Sequence, residues 1–170
     1  MKRFALAVAA ALLAAPVFAG EQFVDGTGFA VSGYDVVEYF NLDQVPVGQS
    51  QPGGIPGKAD FTAEYNGATF AFASAANRDT FLADPARYAP QYDGHCAFGV
   101  SKGGKVPGNP NLWRIVDHKL YLNITKNVVG FWEEDIPGNI NLAENNWTSI
   151  EPTPASENKI PGFTSSAPVK

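Results

Sequence analysis

Sulfur and imidazole are scarce in this chain, and the scarcity limits its chemistry before any pattern is considered. There is one methionine, Met1, one cysteine, Cys96, and two histidines, His95 and His118. A lone cysteine excludes an internal disulfide and also excludes C-x-x-C-H haem attachment. Four Cys or His ligands make the usual structural zinc site. With three such residues in all, a single copy cannot build one without carboxylates or water. Basic residues are outnumbered too, 12 Lys and Arg against 17 Asp and Glu, for a formal net charge of −5. An acidic surface repels phosphate backbones and anionic lipid, which argues against nucleic acid and membrane surfaces as partners. No apolar run reaches the roughly 20 residues of a spanning helix.

The first residues carry the three parts of a secretory signal. Lys2 and Arg3 supply positive charge, Phe4 to Ala15 is apolar and uncharged, and Pro16 breaks the run before Val17-Phe18-Ala19. Small residues at the two recognition positions place cleavage after Ala19. Loss of Lys2 and Arg3 takes the basic count from 12 to 10 against 17 acids, a net charge of −7. The expected destination is a bacterial periplasm or the medium, both oxidising, where a lone thiol is buried, metal-bound, paired with another molecule or reactive.

The rest divides into a lead-in at 20–28, one domain at 29–147 and a Pro-, Ser- and Thr-rich tail at 148–170, expected to be disordered. Gln44 to Lys58 is rich in Gly and Pro and reads as a loop. Asp35 reads as an N-cap and Tyr34 as a core anchor. Phe61, Ala63 and Tyr65 alternate with polar residues up to Asn66-Gly67, a two-residue hairpin turn. Ser74 caps a helix to about Asp84 with Phe81 and Leu82 facing the core, and Pro85 opens another helical turn. A short helix is expected over Cys96 to Lys102, between glycine breaks. A second hairpin turns at Asp117-His118, with Leu120, Leu122 and Ile124 on one face. Thr125 or Asn123 then caps a helical stripe of Val128, Trp132, Ile136, Ile140, Ala143 and Trp147, interrupted at Pro137-Gly138. Trp113 and Phe131 join Trp132 and Trp147 as expected core aromatics. The pattern predicts an α+β fold, two β-hairpins with several short helices around one small core. No internal repeat is visible beyond the two hairpins.

The stretch Tyr65 to Tyr88, YNGATFAFASAANRDTFLADPARY, resembles the YHS domain, a small metal-associated module. Gly33-Tyr34-Asp35 is similar to its opening segment. Gly94-His95-Cys96-Ala97-Phe98-Gly99-Val100, with the hairpin and helix after it, resembles an exported, longer branch of that family, over roughly 29–147. The resemblance implies where a metal-binding member keeps its cysteines: at the end of the second hairpin strand, one turn into the helix, and in the opening segment. Those positions here are Ala73, Asn77 and a place near Glu38, so all three thiols are missing. Some members of the exported branch carry selenocysteine at the position similar to Cys96, which implies a need there for a soft, easily oxidised atom.

Cys96 and His95 are therefore the candidate site residues. A cysteine opening a helix gains thiolate stability from backbone N–H groups, and His95 and Lys102 can add positive charge. The plain alternative is a small buried residue under Phe98. His95 can otherwise be a loop histidine, and His118 a turn residue. Three functions follow: a thiol-based redox accessory or sensor module acting through Cys96 on an unknown protein or thiol partner; a module holding a labile copper or zinc ion through Cys96 and His95; and a structural or interaction module without site chemistry. No cofactor is required by the first or the third, and no nucleophile elbow marks an enzyme.

Overall fold

Asn66-Gly67 turns the first hairpin as its two residues of positive φ require. It joins β1, Lys58–Tyr65, to β2, Ala68–Phe72. Asp117-His118 does the same between β3, Asn109–Val116, and β4, Lys119–Asn123. Each hairpin is its own two-stranded antiparallel sheet. Helices α1, Ala75–Ala83, and α2, Pro85–Tyr88, follow the first hairpin, and α3, Ala97–Ser101, precedes the second. Helices α4, Lys126–Glu133, and α5, Ile136–Ile150, close the sequence of elements. This computed structural model describes residues 20–170, so the expected signal segment lies outside the described residues. Among them, no helix is long and apolar enough to cross a membrane.

The expected α+β class with two hairpins holds, and the structure adds an internal repeat that the sequence hides. Thr62 pairs with Ala71 and Trp113 with Leu122; every registered pair of the first hairpin has a counterpart 51 positions on. The correspondence continues into the helices. Ser74 accepts from Asn77 N–H and Thr125 from Val128 N–H, so each hairpin feeds a hydroxyl-capped helix. Phe81 and Trp132 are the fully buried residues of those helices. Asp84 (φ −154°, ψ 75°) and Asp135 (φ −152°, ψ 77°) end them with nearly the same backbone turn.

The segments before the hairpins match as well, 61 positions apart. Val31-Ser32-Gly33 and Tyr92-Asp93-Gly94 each place three consecutive residues in the left-handed region. Gly33 and Gly94 (both φ 78°) adopt it freely, but the other four, Val31 above all, hold it at about 1–2 kcal/mol each. Asp35 N–H then donates to Ile55 O (2.9 Å) and Cys96 N–H to Val106 O (2.9 Å). Cys96 thus occupies in the second unit the place of Asp35 in the first. The ten-residue difference between the two spacings lies in the Gly- and Pro-rich loop of the first unit. That loop is held by the second: Glu133 accepts from Gly48 N–H (2.8 Å), and Arg114, paired with Glu133 in a buried salt bridge, donates to Val45 O and Pro46 O.

Buried apolar residues form two clusters. Leu120 and Leu122 face one with Phe70, Phe72 and Phe81, while Tyr121 faces the other with Trp132 and Ala143, so β4 separates them by simple alternation. Several expectations need correction. Leu82 and Phe131 are about half exposed, because the inward helix face is set by Phe81 and Trp132. The helical interruption comes at Glu134-Asp135, and Pro137 sits in the first turn of α5, where its missing N–H costs nothing. The tail is not disordered: α5 runs to Ile150, Ile160 is buried, Phe163 packs on Tyr34, and Ser165 donates to Ser32 O (2.7 Å). Its polar composition is used for hydrogen bonds along the surface of the core instead of for solvation.

The two ends cross over. The N-terminal ribbon lies on the second unit, with Phe23 N–H donating to Asp93 O (2.7 Å). The C-terminal ribbon returns to the first, ending with Lys170 N–H on Thr27 O (2.8 Å).

Candidate functional site

In the first unit, Asp35 is the organising side chain. It is fully buried. One carboxylate oxygen accepts from Val37 N–H (2.9 Å), and the other from Ala73 N–H (2.8 Å) and Asn77 Nδ2 (2.7 Å). Asn77 Nδ2 also donates to Glu38 Oε1 (2.5 Å). Glu38, Ala73 and Asn77 are the three positions that the resemblance aligns with metal-binding thiols. The fold does bring them together, but as a closed clasp in which an amide ties two carboxylates. Burial pushes the Asp35 carboxyl up, and its hydrogen bonds to Asn77, Ala73 and Val37 pull it back. Alanine offers no ligand and the amide turns N–H groups toward both acids, so a soft ion does not fit this donor set. Among the described residues, no three His, Cys, Asp or Glu side chains stand placed to hold a metal.

In the second unit, the matching positions are Gly99, Ile124 and Val128 around Cys96. Cys96 caps α3 as expected: its sulfur accepts from Gly99 N–H (3.4 Å) and donates to Asn123 Oδ1 (3.4 Å). The expected low-pKa thiolate is corrected by its burial. Cys96 is 0% exposed, and desolvation pushes the thiol up more strongly than the N–H groups of Gly99, Ile124 and Phe98 pull it down. Neither expected cation helps. Lys102 lies over the Phe98 ring at 4.7 Å, and His95 is neutral. Native Cys96 is therefore expected to react with a thiol reagent far more slowly than the unfolded chain. Cys96→Ala is expected to cost about 1 kcal/mol of stability, read from a urea midpoint.

His95 faces away from any ligand role with Cys96. It is fully buried beside Phe23 and Trp147. Nδ1 bonds Tyr92 O (2.9 Å), and Nε2 accepts from Ser156 N–H (3.1 Å). These partners fix the neutral tautomer with the proton on Nδ1. Burial lowers its pKa to about 4. His118 is exposed in the β3–β4 turn at φ 61°, a turn residue. A cleft between the 48–51 loop, β3 and α4 is lined by residues that include Trp113, Lys126 and Glu133, and neither Cys96 nor His95 lines it.

A hairpin feeding a capped helix, closed by an acidic opening segment, defines a small α+β module whose potential site lies where strand end, helix start and opening segment meet. The family model of the YHS domain matches residues 53–92, which hold β1, β2, α1 and α2 and end at Tyr92, the first residue of the turn that opens the second unit. The chain carries a YHS domain. No curated protein and no solved structure matches the chain. The clasp and the repeat both escaped sequence reasoning. The one signal available for the clasp was that Asn77 and Glu38 are polar at or near positions where the resemblance puts ligands, with Asp35 three residues before Glu38 in the opening segment.

Proposed function

We propose that this protein is an exported, non-enzymatic YHS-type module with a structural or interaction role that runs no chemistry at Cys96 or His95. The observation that carries this reading is the Asp35–Asn77–Glu38 clasp, which fills the position where metal-binding members keep their ligands. Burial of Cys96 supports it from the second unit. The signal-like start, Lys2-Arg3 followed by an uncharged apolar run, supports a periplasmic or secreted setting.

The redox reading through Cys96 is supported by the N–H groups aimed at its sulfur, and it requires the second unit to open before an oxidant reaches the thiol. The metal reading has His95 and Cys96 as neighbours in sequence, but both nitrogens of His95 are engaged elsewhere. Elemental analysis of protein recovered from the periplasm, before and after incubation with copper or zinc, separates the readings. No stoichiometric metal is expected, and the Cys96→Ser variant is expected to match the parent. Stoichiometric copper or zinc that disappears in Cys96→Ser would overturn the proposal in favour of the metal module.

A further inference from the structure

Asp93 lies in a polar pocket that neither unit completes by itself. Its Oδ1 accepts from Gln22 Nε2 (2.6 Å), while Oδ2 is buried and has no hydrogen-bond partner among the described residues. Glu151, at the end of α5, stands on the other side, and Lys105 anchors that end through Nζ to Glu151 O (2.8 Å) and Thr153 O (2.6 Å). Two acids thus face each other, and the nearest cation is committed to carbonyl oxygens.

Gly20 sits between them. It is buried, and its backbone nitrogen is 3.4 Å from Glu151 Oε1. A Cβ on Gly20 would lie 2.8 Å from Glu151 Cγ and inside the contact distance of Asp93 Oδ2, so no side chain fits there. Cleavage after Ala19 turns this nitrogen from an amide with one proton into an ammonium with three. We propose that the Asp93–Glu151 pocket is the receptor for the α-ammonium group created at Gly20 by signal cleavage, so that processing completes the fold. The inference rests on the export reading and adds a site to it.

The chemistry is that of a charge-assisted hydrogen-bond pair. An ammonium donates to Glu151 Oε1 and to Asp93 Oδ2, and it gives the buried oxygen the partner it lacks. Without the ammonium, burial and the Glu151 charge push the Asp93 carboxyl up to about 6, against Lys105 and Gln22, which pull it down. The other titratable groups around the pocket are Glu21, which accepts from Ala155 N–H (3.0 Å), and neutral His95. None of these supplies a second mobile positive charge.

The test begins with the full chain, expressed with its leader and recovered from the periplasm. Intact mass and N-terminal sequencing read the cut, and the α-amino group is then titrated by NMR after selective labelling of Gly20. The expected result is a chain starting at Gly20 whose amino group titrates above the ordinary range of about 7.7–8.0. Asp93→Asn and, separately, Glu151→Gln are expected to bring it back toward that range, two variants guarding against a failure of either to fold. Stability that depends on the ammonium is fully present below about pH 8 and is lost as pH rises through the raised value. Acetylation of the Gly20 amine is expected to lower the melting temperature by about 3 °C or more. A chain that keeps its leader and stays in the cytoplasm would overturn the export reading and this inference together, whereas an exported chain cut at another position would overturn the inference alone. A chain starting at Gly20 with an ordinary amino pKa, unmoved by either variant, would overturn the inference alone.

Discussion

Acidification from pH 6.5 toward 4 is expected to detach the C-terminal segment from the second unit while the hairpins persist. His95 accepts the Ser156 N–H through Nε2, and protonation turns that acceptor into a donor facing a donor. The sign follows from the shift. The folded pKa, about 4, lies below the ordinary 6.5, so the unfolded or opened chain binds more protons between those values. The stability held by neutral His95 is fully present above 6.5 and falls by about 3 kcal/mol once pH drops below 4. Asp93 acts in the opposite direction in the unprocessed chain, gaining stability as it protonates below about 6. Global unfolding therefore changes with pH less than local release does. The same segment is also held by Glu21, which accepts from Ala155 N–H, and by Lys105, which donates to Glu151 O and Thr153 O. Amide hydrogen exchange at pH 7 and pH 4.5 is the measurement. Protection at Ser156 and along 154–160 should fall at the lower pH, after correction for intrinsic rates. Equal protection at both values would show that His95 does not hold the segment.

Asp35→Ala is expected to cost about 3–5 kcal/mol, a large share of the stability of a domain of this size. The substitution leaves the buried Val37 N–H and the half-buried Ala73 N–H without their acceptor and removes the centre of the clasp that joins the opening segment, the end of β2 and the start of α1. Hydrogen bonds to a charged acceptor are each worth about 1.5–3 kcal/mol, and unsatisfied donors carry their own penalty. Asp35→Asn, which keeps the volume and one carbonyl oxygen, should fall between. Urea midpoints compared at equal m-value report the difference. A loss for Asp35→Ala no greater than that for Cys96→Ala would mean that the two units are held at their equivalent positions by packing alone.

Much of the framework was legible because it rests on local chemistry. Asn66-Gly67 requires a tight hairpin, Ser74 and Thr125 are helix caps, and Pro85 suits a first helical turn. The repeat was not legible, because equivalent positions carry different chemistry: Asp35 and Cys96, Phe81 and Trp132, Asn77 and Val128. The loop of the first unit also shifts the spacing midway, so no single period runs through the chain. The site residues were named for their reactivity, and reactivity depends on burial that composition cannot report. Cys96 lies under β4, bridged to Leu122, and His95 is bridged to Pro107; both contacts come from residues distant in sequence. The tail was misread for a related reason. Few large apolar residues suggest solvation, yet Ile160 and Phe163 suffice when serines find backbone carbonyls.

The crossed ends have a consequence for how the two halves relate. Each half keeps its partner's closing ribbon: residues near Phe23 finish the second unit, and residues near Phe163 and Lys170 finish the first. A chain severed at the joint between α2 and the Tyr92 turn would yield two pieces that each lack a seam and carry the other's. Such pieces complement one another more readily than they stand alone, so the duplicated unit behaves as one woven body despite its ancestry-like symmetry.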